Sequence, residues 1–197
     1  MMRVNRLAPA FIGVIAAVAM ATWPAYAEPS VSETINYYDV SGANAREVRE
    51  SLNRNGPVSK INGKRFDAYT GWRISWKYQY RQPTGGCAIA SVSTEVKVII
   101  DFPRLKADAT TPEALKSLFA RYLENLMRHE KGHVQNAIVF ARKIETGIRA
   151  LPTESSCNKL QDVANTLGGA VIKEANQADI DYDARTRHGA TQGARFP

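Results

Sequence analysis

The sequence predicts an α+β chain, and three observations predict it. Apolar residues alternate with period two through much of Glu33–Pro103, and helical periodicity takes over from Thr110. Strands followed by helices, without interleaving, indicate α+β rather than alternating βαβ units. Neither an internal repeat nor a low-complexity tract interrupts this division.

Residues 1–27 precede both regimes and read as a secretory signal peptide. Arg3 and Arg6 form a positive start, "APAFIGVIAAVAM" is an apolar run too short for a comfortable bilayer span, and "AYA" offers small residues for cleavage before Glu28. An uncleaved anchor is the alternative, disfavoured by Pro24 and its small neighbours. The leader carries two arginines and no acids, so processing lowers the formal charge from +7 to +5. That excess suits anionic cell-surface polymers, but scattered solubilising charge explains it equally. Residues 28–197 suffice for one domain with a core, and no second apolar run reaches spanning length. The expectation is an exported protein, periplasmic or secreted.

Element by element, "TINYYDV" is a short strand. "SGANAREVRESLNRNGP" is an amphipathic helix opened by Ser41 or Asn44 and stopped at Gly56-Pro57. In "WRISWKYQY", Trp72, Ile74, Trp76, Tyr78 and Tyr80 share one face. After the turn residues "RQPTGG", "CAIASVSTEVKVIIDF" returns with Val92, Thr94, Val96, Val98 and Ile100 on one side. The pair predicts an antiparallel hairpin, and with the first strand and helix an N-terminal antiparallel sheet. The aromatic stripe could serve as a carbohydrate platform, but core packing is the simpler account.

Thr110 or Thr111 should cap a long helix with Pro112 at its first position. Leu115, Leu118, Phe119, Tyr122, Leu126, Ala137, Phe140, Ile144 and Ile148 follow at helical spacing. A further helix runs from near Cys157 towards Arg187, with Gly168-Gly169 as a candidate break, and "HGATQGARFP" reads as loop. Cys87 and Cys157 are the only cysteines, and in an exported chain they predict one disulfide.

Two of the chain's three histidines fall in "LMRHEKGHVQNA". On a helix, His129 and His133 present their rings side by side, and Glu130 lies about 100° around the axis. H-E-x-x-H is the arrangement by which two imidazoles hold zinc while the glutamate acts as general base toward a water. The helical count from Tyr122 through Leu126 to Ala137 passes through both histidines, placing them on the apolar face, where unpaired ionisable groups are costly. Two core histidines bonded to carbonyls are the plain alternative.

Together with the leader, "RHEKGH", the later "SCNKLQ" and the ending "YDARTRHGATQGARFP" resemble a bacterial family of predicted secreted zinc-dependent proteases (domain of unknown function 922). "HEKGH" is shared by many metallopeptidases, whereas the "YDxxTxHG" ending is more particular to this family. The resemblance spans most of residues 28–197 and implies a zincin-like arrangement, a sheet beside an active-site helix.

A catalytic zinc takes three protein ligands and an open position. The metzincin extension is absent, since Asn136 and Val139 stand where its glycine and histidine belong. His188, Asp183 and Glu174 are the candidates for the third ligand. If the second helix folds straight back, the hairpin centres near residue 154 and Glu174 faces the motif. If Gly168-Gly169 breaks it, the segment from Asp183 to His188 does. The reading favours His188, with Asp183 either orienting a ligand histidine or serving as the ligand itself, and Tyr182 as a lesser candidate for an oxyanion donor.

The function expected is an exported zinc metallopeptidase acting on peptide or protein substrates, with Zn2+ on His129, His133 and His188 and Glu130 as base. The alternatives are a non-catalytic zinc-binding envelope protein and a zinc amidase or endopeptidase acting on cell-wall peptide. The basic tail lacks aromatic interleaving, and no phosphate-cradling loop or nucleophile elbow is present, so nucleic-acid binding, nucleotide chemistry and serine hydrolysis are not indicated.

Overall fold

The computed structural model describes residues 28–59 and 63–197; the predicted leader, 1–27, lies outside the described residues. The elements are β1 (Ser30–Val40), α1 (Ala45–Asn55), β2 (Tyr69–Arg81), β3 (Ala88–Leu105), α2 (Glu113–Arg149) and α3 (Cys157–Thr186), followed by a 3-10 turn at Ala190–Gln192. The class is α+β, as expected. No helix among the described residues is long and apolar enough to cross a membrane.

The sheet differs from the expectation in one respect. Its order is β1-β3-β2, and β3 pairs antiparallel with β2 but parallel with β1. The hairpin stands, from Tyr69 opposite Asp101 to Arg81 opposite Ala88. The sheet as a whole is mixed rather than antiparallel. Parallel pairing needs a long connection, and α1 with β2 supplies one between β1 and β3.

Strand β3 buries Val92, Val96, Val98, Ile100 and Phe102 on one face, while Ser93, Lys97 and Ile99 are exposed on the other. Helices α2 and α3 lie on the buried face. Trp72, Ile74, Trp76 and Tyr78 pack against the same core from β2, so the stripe is core rather than platform except at Tyr80, which is exposed near the strand's end.

Helix α1 is capped by Asn44, whose side chain accepts from the Glu47 N–H, while Glu47 reaches back to the Ala43 N–H. Helix α2 begins without a side-chain cap, because the Thr111 hydroxyl is bound to the Asp108 N–H in the preceding turn. Its 37 residues extend about 55 Å along the sheet.

Helix α3, capped by Ser156, continues through Gly168-Gly169 without a break. The reason is packing. A Cβ at Gly168 would stand 2.4 Å from the Trp76 ring, so glycine lets the helix axis approach β2. The disulfide joins Cys87, at the hairpin end, to Cys157, the first residue of α3, across a separation of 70. It fits an exported chain.

Candidate metal centre

The middle of α2 faces both the sheet and α3, which is why its polar motif is buried. His129, Glu130 and His133 are 4%, 3% and 8% exposed. Helix α3 brings Asp183 over the pair. One oxygen, Oδ1, lies 3.1 Å from His129 Nε2 and 3.2 Å from His133 Nε2. Ligand atoms of these three residues lie within 4.8 Å of one another.

The outer nitrogens of the two rings are spoken for. His133 Nδ1 is 3.1 Å from Asp179 Oδ1, and that carboxylate also accepts from Asn136 Nδ2 at 2.9 Å and from Trp72 Nε1 at 2.5 Å. His129 Nδ1 lies 3.0 Å from Gln192 Oε1. Carboxylate and amide oxygens only accept, so with Gln192 Oε1 and Asp179 Oδ1 in these places both Nδ1 atoms are the donors. In the neutral rings both Nε2 lone pairs then converge on Asp183 Oδ1, itself buried and without a hydrogen bond of acceptable geometry.

Three electron-rich atoms pointed at one spot repel unless a cation lies between them. The donor set of two imidazoles and a carboxylate fits zinc, with carboxylate and amide partners fixing the rings from outside. Without an ion, protons take part of that role. Burial opposes charge on His133, but Asp179 and Asp183 outweigh it and push the imidazole up to about 10. Burial likewise opposes charge on Asp183, yet its short contacts with His129 and His133 hold it well below the usual carboxylate range.

Glu130 points to the sheet side of the helix. The Thr70 hydroxyl, on β2, donates to its Oε2 at 2.6 Å. Burial raises Glu130 above its ordinary range, with the Thr70 bond and the two imidazoles opposing. A carboxylate of raised basicity, held by one oxygen, suits a general base.

Tyr182 fills the space between the helices. Its ring stacks on His129 at 5.1 Å and meets His133 edge-on at 5.0 Å, and its hydroxyl donates to the His129 carbonyl at 3.2 Å. The hydroxyl is therefore engaged with backbone, in keeping with a packing role rather than an oxyanion donor.

The candidates for the third position separate clearly in space. Asp183 is grouped with the histidine pair. His188 lies just beyond it: its Nδ1 is 3.3 Å from Asp183 Oδ2, its ring packs 5.3 Å from Phe66, and its side chain is 58% exposed. Glu174 is on the surface, paired with Lys143. Helix α3 runs straight, yet Asp183 still reaches the motif. His129 faces Asp183 and Lys143 faces Glu174, so the hairpin centres about one helical turn beyond residue 154.

Thr70 and Gln192 carry no pattern in the sequence. Asp179 alone left a trace, as an acid one turn before Asp183 on the same helix face.

Comparisons with curated proteins and with solved structures found no match. The family described as "bacterial protein of unknown function (DUF922)" matches residues 35–189, a span holding both histidines, Glu130, Asp179, Asp183 and His188. The chain belongs to this bacterial family of unknown function.

Proposed function

We propose that the chain is an exported zinc-dependent peptidase in which His129, His133 and Asp183 hold the ion and Glu130 is the general base. The observation that carries this reading is Asp183 Oδ1, buried, unbonded and faced by the Nε2 atoms of His129 and His133, between which the buried Glu130 stands in the α2 sequence. Zinc bound there supplies a Lewis acid for a carbonyl and acidifies a water.

The chain's own residues do the rest. Glu130 takes the proton of the attacking water and returns it to the leaving amine. Thr70 holds Glu130 Oε2, which fixes the carboxylate relative to the rings. Asp179 and Gln192 keep hydrogen on the outer nitrogens so that the inner ones can bind metal.

The choice of a peptide substrate rests on β2. It is an edge strand by sheet order, and Thr70 lies on it. A peptide adding to that edge would run past Glu130, its main-chain groups paired with the strand.

The test is zinc content and hydrolysis in wild type and Glu130→Gln. Protein purified without chelator should hold about one zinc, and Glu130→Gln should keep it while hydrolysis falls by about 10²–10⁴. Unfolded protein and purified cell wall serve as parallel substrates. Full zinc with no turnover of either favours a non-catalytic zinc protein, and release of peptides from cell wall alone favours the cell-wall enzyme. Failure to take up zinc at stoichiometric concentration overturns the proposal.

A further inference from the structure

The segment after α3 is built against the site. Arg187 and His188 both have φ of 51°, and Gly189 has φ of 80°, so the chain reverses sharply as the helix ends. Two consecutive non-glycine residues in this region are uncommon, and such strain persists where the surroundings hold it. Gly189 then passes directly over His129: a Cβ there would be 2.9 Å from His129 Cγ. Beyond the turn, Asn125 Nδ2 donates to the Gly193 carbonyl at 3.2 Å, and buried Phe196 packs 5.4 Å from Phe119 and 5.3 Å from Tyr122. Gln192 is thus pinned from both sides.

Its amide lies between the Tyr182 hydroxyl and the His129 ring. The Tyr182 hydroxyl is nearer the His129 carbonyl (3.2 Å) than Gln192 Oε1 (3.4 Å), and with its hydrogen on the carbonyl it accepts from Gln192 Nε2, 3.1 Å away. That leaves Oε1 toward His129 Nδ1 at 3.0 Å. An oxygen that can only accept selects the tautomer with hydrogen on Nδ1, and the Nε2 lone pair is delivered to the Asp183 side.

We infer that Gln192 is a positioning residue for the metal centre, setting the tautomer of His129, and that the segment after α3 is a working part of the site. Its contribution to metal affinity rests on the zinc reading above; its control of the tautomer does not. The two histidines receive different treatment. His133 leans on a charged carboxylate, whereas His129 leans on a neutral amide that orients the ring without adding charge.

The test compares wild type with Gln192→Met, similar in length but without an acceptor, and Gln192→Glu, which restores one. In metal-free protein at mildly alkaline pH, ring ¹⁵N shifts should show hydrogen on His129 Nδ1 in wild type and Gln192→Glu, whether or not Nε2 also carries one towards Asp183, and an Nδ1 without hydrogen in Gln192→Met. Zinc affinity, by competition with a chromophoric chelator, should fall about 10- to 100-fold in Gln192→Met and recover to within a few-fold in Gln192→Glu. An Nδ1 without hydrogen in wild type, or Gln192→Met binding zinc as wild type does, overturns the inference. Wild type that shows the expected tautomer but takes no zinc overturns the zinc reading and leaves the tautomer assignment standing.

Discussion

Gly132, inside the H-E-x-x-H motif, offers the sharpest test of how α2 and α3 meet. It is helical, so replacement by alanine should favour the helix by about 1 kcal/mol if nothing else changed. The structure says otherwise. A Cβ at Gly132 would stand 2.1 Å from the Tyr182 hydroxyl oxygen and 2.3 Å from its Cζ, and that ring is held between both histidines. Pushing it aside costs about 1–3 kcal/mol of overpacking, and losing the hydroxyl bond to the His129 carbonyl costs about 1 kcal/mol more. Set against the helix gain, Gly132→Ala should destabilise by roughly 1–3 kcal/mol. The melting temperature should fall by about 2–4 °C per kcal/mol at this chain length. In a Tyr182→Ala background the sign should reverse, and the same substitution should stabilise by up to about 1 kcal/mol. Thermal and urea unfolding of the four chelator-treated proteins supplies the double-mutant cycle. A Gly132→Ala protein that melts higher than wild type, with no coupling to Tyr182, would refute the packing argument.

Three further outcomes are expected. Asp183→Ala should lose zinc affinity by at least about 100-fold, and His188→Ala, which touches only the outer oxygen of Asp183, should change it by no more than about 10-fold; zinc titration decides, and the reverse order would make His188 the ligand. Removing the disulfide as Cys87→Ala/Cys157→Ala should cost on the order of 4 kcal/mol for its 70-residue loop, read from denaturation midpoints at fixed m. In metal-free protein the raised His133 contributes stability that is complete below about pH 6.5 and is lost as pH rises towards 10, while the depressed Asp183 contributes above about pH 4 and fades on acidification. Zinc bound as proposed would displace the His133 proton, so the rise in melting temperature on adding zinc should be larger at pH 8.5 than at pH 6, and an equal rise at both would contradict the proton competition.

Faces were legible in the sequence, and partners were not. Alternation in β3 showed which residues point inward, and helical spacing placed His129 and His133 on the buried side of α2. Period two says nothing of which strand lies alongside or in which direction, so the parallel partnership of β1 and β3 was out of reach. Across the helix pair the difficulty was stagger. A shift of about one turn decides whether Glu174 or the pair Asp179 and Asp183 meets the motif. The glycine pair signalled weakness in the helix when its use is a close approach. Thr70, Asp179 and Gln192 reach the motif across separations of 46 to 63 residues, which leave no local pattern.

The disulfide gives the two long helices an uneven mechanical character. It fastens the start of α3 to the hairpin, roughly 25 Å along α2 from the histidines. The far end of α3 is anchored by Asp179, Tyr182 and Asp183 through the histidines of α2. If the proposed zinc is bound there, stripping it should let α3 fray from Thr186 backwards, while the turns after Cys157 stay resistant to amide exchange and to protease.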